Sequence, residues 1–285
     1  MFTKDTDFPA GWEAKFNDDG TVTLTKTFDR TRMPLIIGGI DPIVEVEGLN
    51  TVDHVAYVVG RGDNKFVPTG TVTRAEAATM FFRLMTDSHR NYYWDNACTY
   101  TDVAGDAWYN VAIATLEAAG VIQDTAAYGK FRPNEPITRA EMTVMAAQFC
   151  DVTGSVPHAS FYDVAASHWA ADEIALMEYA GFIQGYNGFY RPEDTITRAE
   201  CVTIINRMLE RGAEAENMLP TMVTFVDVKP DAWYYEAVQE AANSHTYTRT
   251  NWYLTNEFFY GELWLTIEKA PDWAAMEQIW AAANK

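Results

Sequence analysis

The chain has 285 residues, 48% of them apolar, and a formal charge of −19, so it can bury a substantial core in one to two domains. The acidic excess argues against nucleic-acid binding, because phosphate contacts would form against the field of the whole protein. No apolar run approaches the roughly 18 residues of a membrane span, so no membrane insertion is expected; Met33-Pro34-Leu35-Ile36-Ile37 is short and stops at glycine.

Residues 1–50 read as a β-like segment or stalk: Trp12–Phe16, an Asn17-Asp18-Asp19-Gly20 turn, then the alternating Thr21-Val22-Thr23-Leu24-Thr25. Lys4-Asp5-Thr6-Asp7 is not followed by an apolar signal-peptide core. The expectation is a piece of a longer protein, or export by an unusual route. Further along, a β-branched residue precedes Thr-Arg-Ala-Glu at Val72–Glu76, Ile137–Glu141 and Ile196–Glu200. Such a period marks one supersecondary unit used repeatedly. Thr73 with Glu76, Thr138 with Glu141 and Thr197 with Glu200 are structural capping boxes, each opening a helix. The arginine between them is not needed for capping, and the helix dipole disfavours a cation there. Arg74, Arg139 and Arg198 therefore point to an anionic ligand. A guanidinium can grip a carboxylate bidentately beside free helix N-terminal amides. The competing reading pairs each arginine with a nearby acid such as Glu135 or Glu193.

A second phrase, aromatic-x-Asp-Val, occurs at Tyr100–Val103, Phe161–Val164 and Phe225–Val228, and Trp108, Trp169 and Trp233 follow in phase. Helical patterns come next, closed by Gly120 and Gly181 in the first two copies. Turn-rich connectors join the two phrases: Gly60–Pro68, Tyr128–Pro133 and Gly185–Pro192. Both phrases occur within 100–150 and 161–211, whereas 54–87 holds only the box and 225–243 only the Asp-Val phrase. The two halves are expected to pack together as a third repeat, closing a pseudo-threefold ring and removing open apolar faces. The 225–243 helix should then touch the Phe81–Leu84 helix.

Together these phrases resemble the S-layer homology module of bacterial surface proteins, over roughly residues 50–245. The resemblance implies a mainly α fold: a pseudo-threefold ring of three helix-loop-helix repeats spanning 51–245. It implies a non-catalytic, extracellular anchor that needs no cofactor and binds pyruvylated secondary cell-wall polysaccharide in grooves between repeats, with cargo domains upstream. The alternative is a structural protein–protein or S-layer assembly module on the same fold. Carried over by position, Arg74, Arg139 and Arg198 would meet the acidic ketal. Backbone at Gly62, Gly129 and Gly188 would line the grooves, and Trp108, Trp169 and Trp233 would face sugar or core. The second connector, Asp124–Gly129, lacks the Gly-x-x-Gly form of the third.

Cys98, Cys150 and Cys201 read as buried free thiols, and Arg61-Gly62-Asp63 as a turn. His54, His89, His158, His168 and His245 show no metal-ligand spacing, and no hydrolase motif appears. Residues 246–285, rich in aromatics such as Trp252, Tyr253, Phe258, Phe259, Tyr260 and Trp264, end in a helix after Pro271 and are expected to cover the ring.

Overall fold

Helix starts follow the capping chemistry. In a computed structural model, which describes residues 12–16, 22–26, 42–122, 129–251 and 261–284, the chain forms two units, Met1–Asp41 and Pro42–Lys285. In the first, β1 (Trp12–Phe16) pairs antiparallel with β2 (Val22–Lys26), Trp12 opposite Lys26. The Asn17–Gly20 turn lies outside the described residues.

The second unit is mainly helical. It runs β3 (Ile43–Val46), α1 (Arg74–Leu84), α2 (Asp87–Tyr92), α3 (Asn110–Ala118), α4 (Arg139–Ala147), β4 (Cys150–Thr153), α5 (Ala171–Tyr179), α6 (Arg198–Met208), α7 (Tyr235–Ala242), β5 (His245–Asn251), β6 (Gly261–Ile267) and α8 (Trp273–Ala283). α1, α4 and α6 begin at the boxes. The amides of Glu76, Glu141 and Glu200 donate to the Thr hydroxyls at 3.2, 3.2 and 3.3 Å. The glutamates accept in return from the amides of Thr73, Thr138 and Thr197 at 2.8, 2.9 and 2.9 Å. α3 and α5 stop just before the left-handed Gly120 (φ 73°) and Gly181 (φ 76°). α7 ends without a glycine. There the Asn243 side chain takes both backbone groups of Val223, at 2.7 and 3.1 Å.

Each helix that follows a Trp packs on the box helix before it: α3 on α1, α5 on α4, and α7 on α6. The principal helical partner of α7 is therefore α6 rather than the Phe81–Leu84 helix expected from sequence. The two chain ends meet through a connector instead. Tyr57 and Val58 donate to Ala241 O at 3.0 and 3.3 Å, Val226 donates to Asn64 O at 3.0 Å, and the Phe66 and Phe225 rings lie 5.5 Å apart.

At the centre, the β-branched residues ahead of the boxes, Val72, Ile137 and Ile196, have no exposed surface. Ile137 N donates to Val72 O (2.9 Å), Val72 N to Ile196 O (3.3 Å) and Ile196 N to Ile137 O (3.0 Å). Burying each such side chain contributes about 1.5–3 kcal/mol. The three bonds also satisfy backbone groups that water cannot reach.

β3 pairs antiparallel with β4, Ile43 opposite Thr153 and Val46 opposite Cys150, so residues 42–50 belong to the helical unit and not to a separate β segment. β5 pairs antiparallel with β6. α8 sets Trp280 edge-on to Phe82, with the Arg90 guanidinium 3.6 Å from its ring centre. The cluster of Trp252, Tyr253, Phe258, Phe259 and Tyr260 lies outside the described residues.

Candidate functional site

The Asp of each Asp-Val phrase clamps two successive amides of a connector. Asp102 accepts from Phe131 (2.8 Å) and Arg132 (2.9 Å), Asp163 from Tyr190 (2.8 Å) and Arg191 (2.7 Å), and Asp227 from Phe66 and Val67 (both 2.8 Å). The second residue of each pair sits left-handed before a proline: Arg132 (φ 58°), Arg191 (φ 59°) and Val67 (φ 59°). Non-glycine residues resist this region, a β-branched valine most of all. The strain is on the order of 1–3 kcal/mol per residue, and two charge-assisted bonds offset it. Burial would raise the Asp163 carboxyl, but the Tyr190 and Arg191 amides overcome that and hold it below the usual range.

The motif arginines are buried against the next repeat. Arg74, Arg139 and Arg198 are only 5%, 6% and 6% exposed. Their Nε groups donate to the carbonyls of Phe131 (2.6 Å), Tyr190 (2.8 Å) and Phe66 (2.9 Å), with each guanidinium over the same residue's ring. Arg74 Nη1 meets Glu141 at 2.7 Å and Arg139 Nη1 meets Glu200 at 2.9 Å. The acids paired with these arginines are thus the capping glutamates of the following box, in place of Glu135 or Glu193. This pairing compensates the cation that the helix dipole disfavours. Burial lowers the pKa of Arg74, with Glu141 opposing, and that of Arg198.

The third position departs from the pattern. Arg61 occupies both oxygens of Glu76 (2.7 and 2.8 Å), and Arg198 Nη2 donates to Val59 O at 2.7 Å. The Arg of the Arg61-Gly62-Asp63 turn is thereby tied to the box.

The helix N-termini are not open anion sites, contrary to the sequence expectation. Arg74 N and Ala75 N donate to the carbonyls of Glu135 and Pro133, both at 3.0 Å. Arg139 N and Ala140 N likewise reach Asp194 (2.8 Å) and Pro192 (2.9 Å), and Arg198 N and Ala199 N reach Gly70 (2.8 Å) and Pro68 (3.0 Å). Connector backbone fills these donors because each box must dock on its neighbour.

What stays open is the side-chain surface. A cleft of about 510 Å³ is lined by Arg139, Arg191, Arg207, Glu200, Gln184 and Trp233 among others. A much smaller one, about 20 Å³, is lined by Arg74, Glu141, Val144, Met145 and Trp169 among others. Trp108, Trp169 and Trp233 are 60%, 50% and 67% exposed, far from core behaviour. Glu141 and Glu200 each face a second arginine besides the buried one, Arg132 at 3.2 Å and Arg191 at 3.9 Å, whereas Glu76 pairs with Arg61. Sequence reasoning missed these connector arginines. Phe131-Arg132-Pro133 and Tyr190-Arg191-Pro192 carried the signal, but the first copy reads Phe66-Val67-Pro68 and its arginine comes from elsewhere in the loop.

The glycines divide. Gly129 and Gly188, both left-handed, give their carbonyls to Thr101 N (2.9 Å) and Tyr162 N (2.8 Å), but the equivalent bond in the first connector uses Asn64 (φ 53°). Gly62 is thus out of register with the other two, and the glycine lining the larger cleft is Gly185. All three cysteines are free thiols, and only Cys201 is fully buried.

The description "S-layer homology domain" matches residues 56–78, 99–143 and 160–201. The chain is 32% identical over 215 residues to cell surface glycoprotein 1 of Acetivibrio thermocellus, covering 71% of this chain and 9% of that protein. It is 29% identical over 204 residues to the cellulosome-anchoring protein of the same organism, covering 69% and 44%. Identity to S-layer protein sap of Bacillus anthracis is 29% over 174 residues, covering 58% and 21%. The chain spans less than half the length of these relatives. With the capped boxes, phased tryptophans and matched segments all falling in the helical unit, the chain belongs to the S-layer homology domain family and is a cell-surface protein.

Proposed function

We propose that the chain is a non-catalytic anchor that binds an anionic, pyruvylated secondary cell-wall polysaccharide in grooves between three repeats. In this reading the repeats form a pseudo-threefold ring, the third being assembled from residues 54–87 and 225–243. The three cyclic backbone bonds at Val72, Ile137 and Ile196 and the repeated Asp clamps support that arrangement. The observation that carries the function is local charge. On a chain of net charge −19, the Trp233 cleft is lined by three arginines, Arg139, Arg191 and Arg207, and one glutamate, Glu200. An exposed tryptophan beside an arginine surplus suits an acidic sugar, the ring stacking and the guanidinium pairing with carboxylate. Arg139, Arg74 and Arg198 supply charge from behind the groove wall, with Trp233, Trp169 and Trp108 at its face. Gly62, Gly129 and Gly188 shape the connectors that border it. Several weak grooves on one polymer would give firm attachment.

Co-sedimentation with purified cell walls tests this reading. The protein should pellet with intact walls and stay in solution after the secondary polymer is stripped. Equal pelleting with stripped walls would favour an assembly module that holds protein instead.

A further inference from the structure

Three side chains distant in sequence converge where residues 54–58 meet the end of α7 and the start of β5. His54 lies in the segment ahead of the first connector, Glu240 in the last turn of α7, and His245 at the start of β5. All three are buried, at 3%, 1% and 4% exposure. His54 Nδ1 is 3.0 Å from His245 Nε2 and 2.8 Å from Glu240 Oε1, and His245 Nε2 is 3.4 Å from the same oxygen. Among the described residues, no hydrogen bond of normal geometry reaches either oxygen of Glu240. Arg211, the nearby buried cation, turns its Nη groups to the carbonyls of Asn50, Asp53 and Val55.

We infer that His54 Nδ1, His245 Nε2 and Glu240 Oε1 are the protein ligands of a divalent transition-metal site of zinc type. Two nitrogens and one carboxylate oxygen with a fourth position for water is a known zinc donor set. Bonds of about 2.0–2.1 Å in a tetrahedron place neighbouring donors about 3.3 Å apart, close to the edges found here. His245 has the outer partner such a ligand needs, whereas His54 Nε2 has no hydrogen-bond partner among the described residues. His245 Nδ1 lies 3.0 Å from Asn243 O, which fixes the tautomer that leaves Nε2 a lone pair. Tyr247 stacks on His54 and Trp264 on His245, both at 3.9 Å. Glu262 Oε2 lies 3.7 Å from His54 Nδ1 and is itself held by Gly212 N and Arg249. Access is through a cleft of about 400 Å³ lined by His54, His245, Tyr247 and Glu268. A metal here would staple the segment around His54 to α7 and β5, where the two half-repeats meet.

The test uses the full chain, purified without a histidine tag, stripped with chelator and dialysed. Zn²⁺ should bind at one equivalent and raise the melting temperature by about 5 °C. Co²⁺ should give the intense visible bands of a four- or five-coordinate ion, a readout that needs no variant. His245→Gln and Glu240→Gln should each abolish the Zn²⁺-dependent shift. The inference is overturned if the wild type takes up no stoichiometric metal. It is equally overturned if Co²⁺ shows only weak six-coordinate bands, or if folded variants bind as the wild type does, which would place the metal on surface acids.

Discussion

Arg139 is held by the fold before any ligand arrives: a carbonyl, an aromatic face and Glu200 already surround it. Glu200 also caps its own helix, so Glu200→Gln should lower stability by about 2–3 kcal/mol in urea unfolding. A loss below 0.5 kcal/mol would mean that the pair contributes little. Trp233 is the converse case, exposed and outside the core, so Trp233→Ala should leave stability within about 0.5 kcal/mol while weakening wall sedimentation. Asp163 gives a pH signature. Its folded pKa lies below the unfolded value, so its stabilisation is present above about pH 4 and is lost as pH falls through the folded value. Unfolding free energy should therefore decline on acidification, and Asp163→Asn should flatten that decline; an unchanged slope would remove the clamp from the account.

At the scale of elements, the box helices were legible because their start signals are local. Thr138 and Glu141 satisfy each other within one turn, so the sequence alone carries the geometry. Thr138→Ala should cost about 1 kcal/mol, measured by thermal or urea unfolding, and no loss would mean that docking alone fixes the helix start. Elements defined by distant partners were not legible. β3 is a strand because Val44 and Val46 meet Val152 and Cys150 across the chain, which no local pattern announces. α2 is a short polar run, Asp87–Tyr92, tied by Arg90 to the carbonyls of Phe82 and Met85. The candidate grooves were half legible. The tryptophans and box arginines stand in phase, but their exposure and burial are set by docking between repeats.

For the whole molecule, residues 54–87 and 225–243 meet at the Asp227 clamp on Phe66 and Val67. Which helices pair was not readable, since α7 could have packed on α1 or α6 with the same apolar face. Removing residues 212–285 deletes Asp227, α7 and α8 together, stranding Tyr57, Phe66 and Val67. That truncation should abolish the single cooperative unfolding transition, followed by circular dichroism; retained cooperativity would argue against an end-joined repeat. In the proposed function, arginine-rich grooves on an acidic chain recognise an acidic polymer. Calorimetric titration of purified secondary polymer, with its pyruvyl ketal intact or removed, tests it most directly. The intact polymer should bind, more weakly as salt rises, and the ketal-free polymer should bind at least tenfold less tightly, a difference of about 1.4 kcal/mol. Equal affinity for both polymers would contradict the account.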